Sequence, residues 1–216
     1  MFDFDGTLVD SQHFYNIALA KILSRFDSIY SVEYCTKLFD GKCWNDVFEM
    51  LALKEGFDKD LVFNEALGCA YELIESGARA TNGTVEVLSV LQEFGVKYAI
   101  CSNSHTSEIE SVLKITGLDV FFDKKNVFGR DMVNKGKPAS DIYLLGLEKM
   151  GFGRKDCVAV EDSVNGVRAS VNAGIETVVF VGGKGFVVGF SKIERFLNEF
   201  GEIGFIKDMR DIVGYL

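Results

Sequence analysis

The sequence predicts an α/β fold: a doubly wound, Rossmann-like parallel-sheet core interrupted by an all-helical cap. Three observations carry this. Short runs apolar on both faces alternate with helical patterns after Gly77, as strands buried under helices on two sides require. Residues 12–80 show helical periodicity and no long strand. The chain has 216 residues, 48% hydrophobic and 25% charged, enough for one core with a smaller insertion. The core is assigned to residues 1–11 and 81–216, and the cap to 12–80.

The elements follow in order. Met1 and Phe2 open a very short strand that stops at Asp3. Ser11 is the expected N-cap of a helix in which Phe14, Ile17, Ala18, Ile22 and Leu23 share a face. Val47–Leu51 and Leu61–Ile74 mark two further cap helices. Thr84–Phe94 is a helix with Gly95 as its expected C-cap. Val96–Cys101 is a strand, Glu108–Thr116 a helix, Asn126–Phe128 a strand and Ser140–Met150 a helix. Cys157–Val160 is a strand ending in Glu161-Asp162, and a helix from Gly166 to Ala173 leads to the strand Ile175–Val181. Gly182–Gly185 reads as a loop, Ile203–Ile206 as a last strand, and a helix starts at Asp208. Phe121, Phe122, Phe190, Phe196 and Phe200 are assigned to the core.

Composition excludes several classes. With 32 acidic and 23 basic residues the formal net charge is -9, which disfavours nucleic acid and anionic membrane. A small phosphorylated ligand needs only one local positive pocket. Five cysteines without a C-x-x-C pair, and two histidines, do not form a zinc pattern. No apolar run approaches the roughly 20 residues of a membrane span. Asp3, Asp5 and Asp10 stand where a secretory leader carries Lys or Arg. A cytoplasmic monomer with reduced thiols is expected.

In such sheets chemistry gathers beyond the carboxyl ends of the strands. There the sequence places Asp3 and Asp5, then Ser102-Asn103-Ser104, then Glu161-Asp162, with Lys137-Pro138 between the last two groups. Clustered carboxylates raise one another's pKa unless cations compensate. Lys137 and an oxygen-liganded Mg²⁺ would do so. One of the Asp3/Asp5 pair could attack while the other handles protons. Thr7 and Ser102 could hydrogen-bond phosphate oxygens.

DFDGTLVD at 3–10, Ser102 after its strand, Lys137-Pro138 and Val160–Ser163 together resemble the four motifs of the haloacid dehalogenase superfamily. KPASDIY at 137–143 followed by VEDSVNGVRAS at 160–170 is similar to its beta-phosphoglucomutase-like branch. The resemblance covers residues 1–10 and 82–182, and it implies a helical cap between the first two motifs. It also implies roles. Asp3 would be the nucleophile that forms an aspartyl-phosphate, and Asp5 the acid and then the base. Thr7 would position Asp5 or the phosphate. Ser102 and Lys137 would bind the phosphoryl group, with further contacts from Asn103 and Ser104. Asp3, the Asp5 carbonyl and Asp162 would hold Mg²⁺, with Glu161 in or near the ligand set. Lys42 would reach the substrate from the cap loop, where Trp44 either reads the substrate or packs between cap helices. His105 and Arg79 could meet anionic groups or serve only locally, and Asn165 has no assigned role.

Two readings of function compete within the resemblance: a phosphatase of a small phosphorylated metabolite, possibly a sugar phosphate, and a phosphomutase. The cap loop GKCWNDVF lacks the Arg of the mutase segment, which favours the phosphatase. A third is a binding protein on the same fold, disfavoured by the intact acidic set. Because the resemblance usually has more apolar residues before its first Asp, a version of this chain extended upstream is expected to be more stable.

Overall fold

Phe2 makes parallel bridges to Ile100 on one side and Val160 on the other, so the segment Met1–Asp3 lies at the centre of the sheet. The computed structural model describes residues 1–39, 44–183 and 190–215. Lys42, placed at the substrate by the sequence, lies outside the described residues, as do Lys184, Gly185 and the side chain of Phe190.

The central segment is tied on both sides. Phe2 N donates to Ala99 O (2.8 Å) and Asp3 N to Val160 O (2.9 Å), while Cys101 N donates to Phe2 O (2.8 Å). Strand β1 (Ile100–Cys101) pairs in parallel with β2 (Val127–Phe128). On the other side β3 (Val158–Glu161) pairs in parallel with β4 (Glu176–Phe180), and β4 with β5 (Gly204–Ile206). The order across the sheet is β2, β1, Met1–Asp3, β3, β4, β5.

Alternation along the strands assigns the two faces. Ala99, Cys101, Phe128 and Ala159 pack with Ile142, Tyr143 and Leu147 of helix α7 (Asp141–Met150) and Ala169 of α8 (Val164–Asn172). Their neighbours Ile100, Val127 and Val160 pack on the opposite face. They meet Val87, Leu88 and Leu91 of α5 (Thr84–Glu93) and Ile109, Val112 and Leu113 of α6 (Thr106–Thr116). Helices thus cover both faces, and the fold is the α/β class with a Rossmann-like core and a helical cap.

The cap comprises α1 (Gln12–Leu23), α2 (Val32–Phe39), α3 (Trp44–Glu55) and α4 (Lys59–Gly77). Leu19, Leu23, Tyr30, Cys35, Phe39, Val47, Phe48, Leu51, Val62 and Ala66 form its apolar interior. Each large side chain so buried contributes roughly 1.5–3 kcal/mol. Asp58 caps α4 by accepting from Leu61 N (3.0 Å), removing one orphan donor of that helix end. The chain enters and leaves the cap side by side: Val9 bridges Ala80, Asp10 N donates to Arg79 O, and Thr81 N to Leu8 O.

Several expectations shift. Helix α2 and helix α9 (Phe190–Phe200) were not legible as helices. The strand expected from Val96 narrows to Ile100–Cys101, because Val96 N turns back to Leu91 O (2.8 Å). Gly95 takes the left-handed conformation just after Phe94, which is the C-cap itself. The terminal helix is of the tighter 3₁₀ type, Met209–Tyr215. Phe122 and Phe196 are buried as expected, whereas Phe121 and Phe200 are only partly so. Among the described residues no helix is long and apolar enough to cross a membrane.

Candidate active site

The first carboxylate is delivered by the central segment, and a tight turn delivers the second. Gly6 N donates to Val9 O (2.8 Å), and Leu8 and Val9 both donate to Phe4 O. This turn needs φ +86° at Gly6, where an added Cβ would also lie 2.3 Å from Asp162 Oδ2. A glycine therefore serves both the turn and the approach of Asp162. Asp162 and Glu161 arrive at the end of β3. Ser163 caps the following helix, accepting from Gly166 N (3.0 Å).

Asp3, Glu161 and Asp162 converge: one carboxylate oxygen from each lies within 4.8 Å of the others. All three residues are buried. Lys137, also buried, donates its Nζ to Asp3 Oδ1 (2.6 Å) and to Glu161 Oε1 (2.5 Å). Tyr143 adds its hydroxyl to Glu161 Oε1 (2.6 Å), and its ring lies 5.1 Å below the Lys137 ammonium. Burial, and then the Asp3 charge, push the Glu161 carboxyl up to about 7, against the opposing pull of Lys137. Glu161 Oε2 is buried without a hydrogen-bond partner among the described residues. Three buried carboxylates with one such oxygen are a donor set that fits a hard, oxygen-seeking cation.

Asp5 stands in a different setting. Ser11 Oγ donates to its Oδ1 (2.5 Å) and Ser104 Oγ to its Oδ2 (2.5 Å). Burial raises the Asp5 carboxyl to about 6, the two hydroxyls oppose the rise, and the charges of Asp3 and Glu108 add to it. The two neighbouring aspartates are thus handled oppositely, one by an ammonium and one by hydroxyls. Such divergence separates proton-transfer from nucleophilic roles.

The remaining predicted residues fall as follows. Ser102 follows β1, donates its N–H to Phe128 O (3.0 Å) and accepts from Ser104 N at its Oγ (3.0 Å). Thr7 is buried, and its Oγ1 has no hydrogen-bond partner among the described residues. Of its two expected partners, Asp5 and the phosphate, Asp5 is held by Ser11 and Ser104. Asn103 and Ser104, expected to face the substrate, spend their side chains on the protein: Ser104 on Asp5, and Asn103 on the Lys137 backbone. Ser11 is at the N-cap position of α1, but its side chain makes no cap bond.

Trp44 packs among aromatic rings, with centroids 5.2 Å from Tyr15, 5.9 Å from Phe39 and 6.0 Å from Phe48. Arg79 donates to the carbonyl of Ala78. His105 starts α6, its N–H held by Glu108 Oε2 (3.1 Å). Asn165 accepts from Arg168 (3.1 Å). Two residues join the site that sequence reasoning did not assign to it, Tyr143 and Ser11. Tyr143 lies in the first turn of α7, the helix that follows the Lys-Pro pair.

Fold and site together define a capped α/β protein with a cluster of buried carboxylates at its strand ends. The chain belongs to the haloacid dehalogenase-like hydrolases, whose family profile matches residues 1–180. A Thermotoga maritima protein named phosphorylated carbohydrates phosphatase is 28% identical over 183 residues, 82% of each chain. Hexitol phosphatase A of Escherichia coli is 29% identical over 185 residues, 82% of this chain and 80% of its own. The crystal structure of a conserved haloacid dehalogenase-like protein of unknown function from Agrobacterium tumefaciens superposes with a TM-score of 0.81. It is 25% identical and covers 99% of this chain and 95% of its own.

Proposed function

We propose that the protein is a Mg²⁺-dependent phosphatase of a small phosphorylated metabolite, a sugar phosphate, working through an aspartyl-phosphate on Asp3. The observation that carries this is the contrast between Asp3, bound by the Lys137 ammonium, and Asp5, held by two hydroxyls with its carboxyl raised to about 6. The names of the Thermotoga and Escherichia relatives support the phosphorylated-carbohydrate class.

An Asp3 oxygen attacks phosphorus, and the bond from phosphorus to the sugar oxygen breaks. Asp5 gives its proton to that leaving oxygen. Asp5, now a carboxylate, then takes a proton from water. The water oxygen attacks phosphorus and the bond to Asp3 breaks, releasing inorganic phosphate and restoring both groups. Lys137 and Ser102 bind the phosphoryl oxygens, and Thr7 is in place to add a hydroxyl. Asp3, Glu161, Asp162 and the Asp5 carbonyl would hold Mg²⁺, which when bound supplies positive charge to the phosphoryl group. The cap closes the site against bulk water.

The test is phosphate release from a panel of phosphorylated sugars and alditols, with and without Mg²⁺, for the unsubstituted chain and Asp3→Asn. Turnover that needs both Mg²⁺ and Asp3 is expected. Undiminished turnover by Asp3→Asn would overturn the reading.

A further inference from the structure

Asn103 spends both ends of its side-chain amide on the main chain of one residue. Its Oδ1 accepts from Lys137 N (2.8 Å), and its Nδ2 donates to Lys137 O (3.2 Å). This is a two-point bracket in which donor and acceptor cannot be exchanged. Lys137 has no regular element to hold it: it follows the 3₁₀ turn Arg130–Met132 and precedes α7. The residue after it is Pro138, which offers no N–H.

The bracket is built on a fixed base. Asn103 lies two residues beyond β1, next to Ser102, whose N is bonded to Phe128 O and whose Oγ accepts from Ser104 N. The loop that carries Lys137 is clamped at its other end. Arg130 N donates to Ser104 O (2.9 Å), and its guanidinium reaches Val133 O (2.8 Å) and Asn134 O (3.2 Å). A Cβ at Gly136 would lie 2.6 Å from Asn103 Oδ1 and 2.7 Å from Arg130 Cδ. The close approach of Gly136 to the Asn103 and Arg130 side chains thus leaves little room for a Cβ at 136.

We infer that Asn103 is a positioning residue. It fixes the Lys137 backbone, and through it the ammonium that joins Asp3 to Glu161, rather than touching the substrate. This rests on the phosphatase reading for its kinetic arm, but not for its binding arm. Lys137 Nζ must stay within hydrogen-bond reach of two carboxylates at once, at 2.6 and 2.5 Å. A displacement of about 1 Å at a reacting group can cost about 100-fold in rate.

The experiment compares Asn103→Ala, Asn103→Asp, Lys137→Ala and the double variant Asn103→Ala/Lys137→Ala. Turnover is measured on the best substrate of the panel, and inorganic phosphate binding is measured by calorimetry in Mg²⁺. Circular dichroism melts show which variants are folded. Asn103→Ala is expected to lower kcat by about 10- to 100-fold and to raise KM only as far as phosphate affinity falls. Asn103→Asp is expected to lose as much as Asn103→Ala. It retains the acceptor for Lys137 N but turns a second oxygen towards Lys137 O.

In phosphate binding, Asn103→Ala is expected to weaken affinity when Lys137 is present and to add no further loss in the Lys137→Ala background. Additive losses in the double variant would overturn the inference, since Asn103 would then act on phosphate directly. A rise in KM with kcat unchanged would overturn it too. Absence of Asp3-dependent turnover in the unsubstituted chain would sink the phosphatase reading alone, and the binding cycle would still decide the role of Asn103. If phosphate binds equally well to all four variants, the inference fails.

Discussion

Ser11 Oγ lies 2.5 Å from Asp5 Oδ1, so the residue that opens the first cap helix holds the carboxylate of the turn six positions before it. A hydroxyl in the N-cap position ordinarily serves the helix, but here it serves the site. Together with Ser104 on the other oxygen, it fixes the orientation of Asp5 from both the cap side and the core side.

Replacing Ser11 by Ala removes one donor that holds the Asp5 carboxyl down against burial. The carboxyl then rises above about 6. If protonated Asp5 is the acid of the first step, kcat/KM falls on the alkaline side of that value, and in Ser11→Ala the fall moves to higher pH. A pH profile of kcat/KM for the two chains checks this. A shift to lower pH, or none, would show that Ser11 does not govern Asp5.

Asp5 also bears on stability. Its carboxyl is at about 6 in the folded chain against an ordinary 3.8. The folded state therefore binds the proton more tightly, and this group's contribution falls as pH rises from about 4 through 6. Above that range the cost is on the order of 3 kcal/mol. An Asn at position 5 can accept from one hydroxyl and donate to the other while carrying no charge. Asp5→Asn, in chelator, is expected to raise the melting temperature at pH 8, at about 2–4 °C per kcal/mol, with the gain shrinking towards pH 4. A melt that drops at pH 8 would contradict the assignment of buried charge to Asp5.

Glycine spacing around the acidic cluster makes a steric prediction. At Gly166 an added Cβ would lie 1.9 Å from Glu161 Oε2 and 2.1 Å from its Cδ. Gly166→Ala must displace Glu161, which is 0% exposed, or shift α8. Overpacking of this kind costs about 1–3 kcal/mol. The variant is expected to melt lower and to bind Mg²⁺ less tightly by calorimetric titration. Unchanged Mg²⁺ affinity would separate Glu161 from the metal-binding group.

The parts of this protein that sequence makes legible are those written locally. Asp3, Ser102 and Glu161-Asp162 stand where apolar runs stop, so topology alone gathers them. Helix α2 escaped because only Cys35 and Phe39 of its eight residues are buried, too few for a stripe. A first strand was foreseen with only Met1 and Phe2 to support it, and it is the flanking strands that hold Phe2 at the centre of the sheet. Ser11 takes its expected N-cap position, but its bond to Asp5 and the bonds of Asn103 to the Lys137 backbone were not foreseen. Their actual partners are set by tertiary approach: Asn103 and Lys137 are 34 residues apart, and no pattern in the chain announces the pairing.

Lys137 is the strongest remaining test of the site. The residue is 6% exposed and its ammonium is bonded to two carboxylates, and those charges raise its pKa despite burial. Removing one partner of a buried ion pair typically costs about 3–5 kcal/mol, because the other charge is left without compensation. In Lys137→Met that charge falls on Asp3 and Glu161 together, and the Glu161 carboxyl is expected to rise further above about 7. The variant should therefore lose turnover and melt lower in chelator, and recover part of its stability as pH falls and Glu161 takes up a proton. Saturating Mg²⁺ should restore stability at neutral pH without restoring turnover, since the cation can replace the lost charge but not the ammonium that binds the phosphoryl oxygens. Melting temperatures of both chains, with chelator and with Mg²⁺ across pH 5–8, decide the matter. A Lys137→Met chain as stable as the original in chelator at pH 8 would mean that the pair does not carry the charge balance of the cluster.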